Sequence, residues 1–344
     1  MSYKHKHGFN NINGSGIDAL FIPRGGNIRT GKPGLILCHG AGQGNLPGNE
    51  MFGAAFPDLH KMIAVATAYG IPVVTGNMGG NNFGNDVMSG SAGTAYVNAA
   101  LAYMAAQTGA SATRAHVFGV SMGHTAAVRW GSLNAAKAAS ISALMPADPD
   151  LIYRTNGWAI GLAGSLSYTS IIANAWGLAN RSITDGVLNS GSNVITSATA
   201  NFTAADVGRV IVRPGTQTQL PVDTTIVSVT NSTTAVLSKN ATASGTGLSF
   251  TIAAPFPLSG DSGCDIKGYH AGKLLANSIP NRLYYSTADP LVVGSDVVAE
   301  AANSGGEAIQ VSTSAVHDNT QFAAMAAHAG TDFADYIAWL LDND

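Results

Sequence analysis

The chain has 344 residues, of which 46% are apolar, and this composition provides for a sizeable core and excludes a wholly disordered protein. Charged residues make up only 11% and the formal net charge is -3, so the clustered basic surface that nucleic-acid binding requires is missing. The 41 glycines and the low charge indicate a globular protein with many loops.

Strands and helices alternate along the first part of the sequence. Apolar runs predict strands at 17–23, 34–38, 71–75, 115–119 and 139–145, and periodic or alanine-rich segments predict helices at 52–69, 92–107 and 122–134. The alternation resumes with strands at 283–287 and 308–312, a helix at 295–303 and one amphipathic helix over 320–341. Alternation at this spacing predicts a mostly parallel sheet with helices on both faces.

Two segments of different composition separate these parts. Residues 150–181 include a long uncharged stretch, whose serines, threonines and glycines favour an apolar cap over a membrane span. Residues 182–254 are rich in Thr, Ser, Val, Asn and Gly with two-residue alternation, which predicts a small all-β unit, although strands that extend the main sheet are an alternative. We therefore expect a core formed by 1–149 and 255–344, a cap and an inserted β module.

A turn of small residues follows the strand predicted at 34–38. It reads His39-Gly40-Ala41-Gly42, and small residues at this place let backbone N–H groups face the carboxyl ends of the strands. The N–H of Ala41 is the expected oxyanion donor and that of Gly42 the alternative, and both glycines are expected to line the substrate site. We expect His39 to make a structural hydrogen bond in the turn rather than to act as a base.

The pattern Gly-x-Ser-x-Gly occupies residues 119–123, between a predicted buried strand and a predicted helix. This context is typical of a nucleophile elbow, in which a strained turn exposes the serine hydroxyl. Ser121 is therefore the candidate nucleophile, and the N–H of Met122 at the start of the helix is the candidate second oxyanion donor. A serine that only caps the helix is the alternative.

A serine nucleophile needs a base, and the base needs an orienting carboxylate. His317 follows the last predicted strand and Asp289 follows the strand predicted at 283–287. Because ligands of parallel sheets gather beyond the carboxyl ends of the strands, both are expected near Ser121. Asp148 also follows a predicted strand and is the alternative acid.

The sequence implies no cofactor and no metal. It has no HExxH pattern, its histidines are scattered, and Cys38 and Cys264 lack the CxxC spacing of a zinc site. The glycine-rich segment 40–44 lacks the lysine of a phosphate-binding loop, and Asn45 stands where a dinucleotide-binding pattern has its third glycine.

In chain order, His39-Gly40, Gly119-Val-Ser-Met-Gly123, Asp289 and His317 resemble the motifs of the α/β-hydrolase family of serine esterases. The resemblance covers roughly 17–180 and 255–341. It implies the α/β-hydrolase fold and cleavage of carboxylic esters by a Ser-His-Asp triad through an acyl-enzyme. It also implies that 150–180 cover the site, where Trp158 and Trp176 would line an apolar wall or only pack the cap. An amidase or peptidase with the same triad, and a non-catalytic adhesin on this scaffold, are the alternatives.

The inserted segment, from Gly186 to Gly247, resembles a small β module that recurs in tail and receptor-binding proteins of phages of actinobacteria. This resemblance implies a virion or cell-surface location and a host cell envelope as partner, with lipid- or glycan-linked esters as substrates. The start, Met1-Ser-Tyr-Lys-His-Lys-His, lacks the apolar segment of a secretory signal, and a cytoplasmic location is the alternative.

Overall fold

The computed structural model describes residues 3–8, 18–40, 57–76, 78, 91–149, 181–213, 219–221, 224–253 and 265–344. The chain divides into two compact units, the first formed by Met1–Pro149 and Leu258–Asp344 and the second by Asp150–Pro257. Among the described residues, no helix is both long enough and apolar enough to cross a membrane.

The first unit opens with alternating strands and helices. Its described strands up to residue 149 are β1 (Tyr3–Gly8), β2 (Asp18–Pro23), β3 (Gly34–Cys38), β4 (Val73–Gly76), β5 (Ala115–Val120) and β6 (Ala138–Leu144). The helices are α1 (Pro57–Ala68), α2 (Ser91–Thr108) and α3 (Gly123–Leu133). Every strand and helix predicted in this part is present among the described residues, although residues 17 and 52–56 of the predicted elements lie outside them. Strand β1 is one that the sequence pattern does not predict.

The second unit contains an antiparallel sheet. Its described strands are β7 (Arg181–Leu188), β8 (Val194–Thr196), β9 (Ile211–Val212), β10 (Ile226–Asn231), β11 (Thr234–Leu237) and β12 (Gly245–Ile252). They lie in the order β10-β11-β8-β7-β12-β9, with every pairing antiparallel. Ile183, Ile195 and Phe250 are buried in a separate core. The predicted all-β insertion is therefore a sheet of its own and does not extend the main sheet.

The remaining helices and strands complete the first unit. They are α4 (Ala271–Ala276), β13 (Asn281–Ser286), α5 (Gly294–Ser304), β14 (Glu307–Ser312), α6 (Asn319–Ala327) and α7 (Ala334–Asp342). The single helix predicted over 320–341 is wrong, because the positive φ angles of Gly330, Asp332 and Phe333 separate α6 from α7. The Phe333 side chain at this turn is buried in the core.

The main sheet has the strand order β1-β2-β4-β3-β5-β6-β13-β14. The pairings of β1 with β2 and of β2 with β4 are antiparallel, and those from β4 to β14 are parallel. Helices α1, α6 and α7 pack in one group, and α2, α3, α4 and α5 in another. The predicted mostly parallel sheet with helices on both faces is confirmed. The carboxyl ends of β3, β5, β6, β13 and β14 share one edge, which we call the carboxyl edge.

The central strands β3, β5 and β6 are buried along their whole length, which explains their nearly continuous apolar sequences. The few polar side chains in β5 and β6 have partners. The Ser142 hydroxyl lies 2.9 Å from the Tyr336 hydroxyl, and the Ser140 hydroxyl lies 2.8 Å from Nδ1 of His116. Pairing of this kind avoids the cost of an unsatisfied polar atom in the core.

A buried polar network lies at the edge opposite the carboxyl edge. The Asp344 carboxylate accepts hydrogen bonds from the Arg29 guanidinium and lies 3.4 Å from Nε2 of His116. Burial lowers the pKa of His116 below its usual value despite the nearby carboxylate. Burial alone would raise the pKa of Asp344, but His116 and Arg29 hold it below its usual value. The ionised carboxylate is therefore the form that this site stabilises.

We expect Asp344→Asn to lower the free energy of unfolding at pH 7 by about 1–3 kcal/mol, because the half-buried Arg29 guanidinium loses a charged acceptor. A lowered pKa in the folded state stabilises the protein above the unfolded pKa, and this contribution is lost as pH falls. The difference between variant and wild type should thus shrink in urea titrations below about pH 4. Asp342→Asn, at an exposed neighbour, is the control, and equal losses from both variants would contradict the prediction.

Candidate active site

The turn from β5 into α3 carries Ser121 in a strained conformation. Its φ angle is 52°, in the left-handed region that costs a residue with a Cβ atom roughly 1–3 kcal/mol. The turn is held by backbone hydrogen bonds: the Ser121 N–H donates to the Leu144 carbonyl at 3.0 Å, and the His124 N–H donates to the Ser121 carbonyl at 3.0 Å. These bonds fix the hydroxyl of Ser121 at the carboxyl edge.

Two glycines allow this turn to form. A Cβ atom on Gly123 would overlap the Cys38 carbonyl oxygen and would lie 2.7 Å from that of His39. A Cβ atom on Gly119 would lie 2.5 Å from the His124 backbone nitrogen. Because the clashing atoms are backbone, neither position can accept a side chain without displacement of a strand or helix. The Gly-x-Ser-x-Gly spacing is therefore explained by the close approach of the start of α3 to the end of β5 at Gly119 and to the end of β3 at Gly123.

Ser121, His317 and Asp289 come together at the carboxyl edge. Nε2 of His317 lies 2.7 Å from the Ser121 hydroxyl oxygen, and Nδ1 of His317 lies 2.7 Å from Oδ2 and 3.0 Å from Oδ1 of Asp289. Because an ionised carboxylate can only accept, it fixes the proton on Nδ1 of the neutral imidazole. Nε2 is then free to accept the proton of the Ser121 hydroxyl.

The Asp289 carboxylate is positioned by the turn that follows β13. The Asp289 N–H donates to the Ser286 carbonyl at 3.3 Å, and the Ser286 hydroxyl accepts from the Ala288 N–H at 3.2 Å. The Leu291 N–H donates to Oδ1 of Asp289 at 2.8 Å. The side chain of Asp289 is fully buried, so protein donors take the place of water around it.

The loop that carries His317 is anchored at the start of α6. Oδ1 of Asp318 caps the helix by accepting from the N–H of Thr320 at 2.7 Å, and the Thr320 hydroxyl accepts from the Val316 N–H at 3.2 Å. The Asn319 side chain donates to the Asp58 carboxylate on α1 at 2.8 Å. The backbone is thus fixed both before and after His317, which positions the imidazole.

Gln321 is a buried neighbour of this site that no motif in the sequence singles out. Its amide Nε2 donates to Oδ2 of Asp289 at 2.5 Å and to the Val316 carbonyl at 3.1 Å. The only sequence signal is its position four residues after His317 at the start of a helix. That spacing places it near the histidine, but nothing in the residue type sets it apart from an ordinary helical glutamine.

Of the residues predicted for the oxyanion hole, Met122 lies at the first turn of α3, where helix N–H groups have no partner within the helix. Ala41, the other predicted donor, and Gly42, Trp158 and Trp176 of the predicted substrate site lie outside the described residues, and these assignments stay predictions. Gly40 is buried where the chain leaves β3.

His39 makes structural hydrogen bonds in the turn after β3, as expected. Its Nε2 accepts from the Met78 N–H at 3.2 Å, which leaves Nδ1 as the donor to the Gly40 carbonyl at 2.7 Å. This arrangement uses both ring nitrogens, so the ring joins the turn after β3 to the backbone of Met78 after β4 and is not poised as a base.

Asp148, the alternative acid, lies near a second buried histidine. Nε2 of His124 is 2.7 Å from Oε1 of Glu300, and both side chains are buried. Burial alone would lower the pKa of His124, but the charge and hydrogen bond of Glu300, with the charge of Asp148, raise it above its usual value. The pair links α3, directly behind Ser121, to α5.

Among the described residues, no group of three His, Cys, Asp or Glu side chains is arranged to hold a metal ion.

No protein-family model and no curated protein matches the sequence. Three solved structures are similar in fold. Est1E from Butyrivibrio proteoclasticus has a TM-score of 0.50 and 9% sequence identity, over 100% of this chain and 99% of that chain. A truncated carbohydrate esterase from gut microbiota has a TM-score of 0.51 and 9% identity, over 99% of this chain and 97% of that chain, and FphF, a fluorophosphonate-binding serine hydrolase of Staphylococcus aureus, has a TM-score of 0.51 and 10% identity, over 98% of each chain. The predicted α/β-hydrolase fold is confirmed.

The His124–Glu300 pair predicts a pH-dependent stability. Because the pKa of His124 is raised in the folded state, the pair stabilises the protein below the unfolded value of about 6.5, and this contribution is lost as pH rises through the raised value. Glu300→Gln should therefore lower the free energy of unfolding by about 1–3 kcal/mol at pH 6 and by less at pH 9. Urea denaturation at both pH values measures the difference.

The matched control is Glu307→Gln, which makes the same change in an exposed ion pair with Arg282. Exposed pairs contribute about 0–1 kcal/mol, so this variant should change stability little at either pH. A loss for Glu300→Gln that is equal at pH 6 and pH 9 would contradict the role given to the charged His124.

Proposed function

We propose that this protein is a serine hydrolase that cleaves carboxylic esters through an acyl-enzyme. Ser121 is the nucleophile, His317 the general base and acid, and Asp289 the orienting carboxylate. The observation that carries the proposal is the continuous hydrogen-bonded chain from the Ser121 hydroxyl through both ring nitrogens of His317 to Asp289. The strained turn under Ser121 and the esterases and serine hydrolase among the similar structures support it.

The reaction proceeds in two acyl transfers. Nε2 of His317 takes the proton of the Ser121 hydroxyl as its oxygen attacks the ester carbonyl carbon, and the N–H groups of Met122 and Ala41 donate to the resulting oxyanion. Collapse of the tetrahedral intermediate breaks the bond to the alcohol, which leaves with the proton from His317. Water then repeats the sequence on the acyl-enzyme, releasing the carboxylic acid and restoring Ser121. Asp289 stays ionised and stabilises the imidazolium in both halves.

We expect Ser121→Ala, His317→Ala and Asp289→Asn each to reduce hydrolysis of a p-nitrophenyl ester series by at least about a thousandfold. The three losses should not add in a double variant, because the residues act as one unit. Rates from acetyl to long-chain esters, followed by p-nitrophenolate absorbance, would also give the acyl length that the site accepts.

Ser140→Ala is a matched control, because Ser140 also bonds to a histidine but is fully buried at the opposite edge of the sheet. It should leave ester hydrolysis within about twofold of wild type, since no substrate can reach it.

A p-nitroanilide series run in parallel tests the amidase alternative. Cleavage of anilides but not esters, lost in Ser121→Ala, would keep the triad and overturn the ester assignment. Full ester hydrolysis by Ser121→Ala would overturn the nucleophile.

For the inserted β unit we propose a role in placing the enzyme on a host cell envelope, as a phage tail-associated protein would require. Support comes from its separate sheet and core and from the position of the two ends of the β unit, where the chain enters and leaves it. Arg181 at the start of β7 is paired with Ile252 at the end of β12. Because both ends of the module lie side by side, it resembles a unit inserted into a loop, which is the arrangement expected of an added binding module.

We expect deletion of residues 182–252, with a short Gly-Ser linker in their place, to retain hydrolysis of soluble p-nitrophenyl esters within about threefold. Binding to actinobacterial envelope fragments in a sedimentation assay should be lost, because the binding surface is removed while the catalytic residues remain. Full-length Ser121→Ala is the control, which should bind without hydrolysing. A deletion variant that keeps both envelope binding and activity on envelopes would exclude this role.

A further inference from the structure

Gln321 makes two hydrogen bonds that join the acid and the base of the candidate triad. The side chain is fully buried on α6, and its Nε2 donates both to Oδ2 of Asp289 and to the carbonyl of Val316, the residue before His317. Both partners are acceptors without a hydrogen, so the amide nitrogen has to face them and the orientation of the amide is fixed by chemistry. One side chain therefore connects the loop after β13 with the loop after β14.

The Asp289 carboxylate depends on this donor. Its Oδ1 accepts from the Leu291 N–H, and its Oδ2 lies 2.5 Å from Nε2 of Gln321, while Nδ1 of His317 is within 3.0 Å of both oxygens. The carboxylate is buried, so water cannot replace a missing donor. Hydrogen bonds to ionised groups are stronger than those between neutral groups, so this donor contributes more to holding the carboxylate in place than a neutral pair would.

The other end of the Gln321 amide argues against a role in stability alone. Its Oε1 is buried and has no hydrogen-bond partner among the described residues. A buried acceptor without a partner is unfavourable, and an apolar side chain of the same length, such as methionine, would avoid that cost. A glutamine at this position is therefore explained by what its nitrogen does rather than by what it adds to folding.

We propose that Gln321 is a positioning residue for ester hydrolysis, which holds the ionised Asp289 carboxylate against Nδ1 of His317 and sets the distance between the two loops. The proposal rests on the proposed function of the triad. It assigns to Gln321 no contact with substrate: its effect passes through Asp289 to the imidazole.

The test compares Gln321→Met, Gln321→Glu and wild type in p-nitrophenyl ester hydrolysis, with Gln310→Met at an exposed position of β14 as the control. Gln321→Met should lower kcat about ten- to a hundredfold, because a hydrogen bond to a charged group is lost, and change KM by less than about threefold. Its urea midpoint should stay close to that of wild type, because removal of the unpartnered Oε1 offsets the donor that the buried Asp289 carboxylate loses. Gln310→Met should match wild type in all three quantities.

Gln321→Glu is expected to restore the donor to Asp289, and with it the activity, only at low pH. The new carboxyl can donate to Asp289 only while it is protonated, so its activity relative to wild type should rise as pH falls. The same ratio for Gln321→Met should not change with pH, since methionine has no proton to donate. A purely structural role would give the two variants parallel pH profiles.

A wild-type kcat in Gln321→Met would overturn the proposal. The proposal would also be overturned if Gln321→Met lowered the urea midpoint and Gln321→Glu lost as much activity as Gln321→Met at every pH. If the wild type hydrolyses no ester, the proposed function fails, and the positioning role is then decided by proton NMR. The low-field Nδ1 proton of His317, identified by its absence in His317→Ala, should move in Gln321→Met and stay in Gln310→Met. An unmoved resonance in Gln321→Met would overturn the inference independently of turnover.

Discussion

The contact between the backbone of Gly123 and the carbonyls of Cys38 and His39 is the constraint on which the candidate site depends. It holds the first turn of α3 close to the end of β3, so that the chain leaves β3 at His39 and β5 at Ser121 side by side. The Ser121 hydroxyl and the Met122 N–H then share one small region of the carboxyl edge. A methyl group at residue 123 would separate these parts before any catalytic group was altered.

A hydrogen-bonded Ser-His-Asp set does not by itself make a site in this protein. Ser140, His116 and Asp344 are linked at the opposite edge of the sheet much as Ser121, His317 and Asp289 are at the carboxyl edge. Ser140 is fully buried, whereas Ser121 is half-buried on a turn next to helix N–H groups. Access and the N–H groups at the first turn of α3 distinguish the candidate site, and both come from the strand-to-helix turn rather than from the three residue types.

The sequence predicts the elements whose apolar pattern is strong and misses those formed by other means. Strand β1, Tyr-Lys-His-Lys-His-Gly, has no apolar run and becomes a strand by pairing with β2. The break between α6 and α7 lies at the positive φ angles of Gly330, Asp332 and Phe333, which local periodicity does not encode. Asp148 and Asp289 both follow a strand and precede a proline, so sequence left the acid open. Only the three-dimensional arrangement places Asp289 beside His317 and Asp148 near His124.

The strain at Ser121 persists because the surrounding structure leaves the turn no alternative. Its carbonyl accepts from the His124 N–H, its N–H donates to Leu144 in the neighbouring strand, and the His124 side chain is held in place by Glu300. A relaxed turn would have to break these buried hydrogen bonds together, at a cost greater than the strain. The Ser121 hydroxyl and the first N–H groups of α3 are thus held in place by the fold itself, which is the preorganisation that the proposed acyl transfer requires.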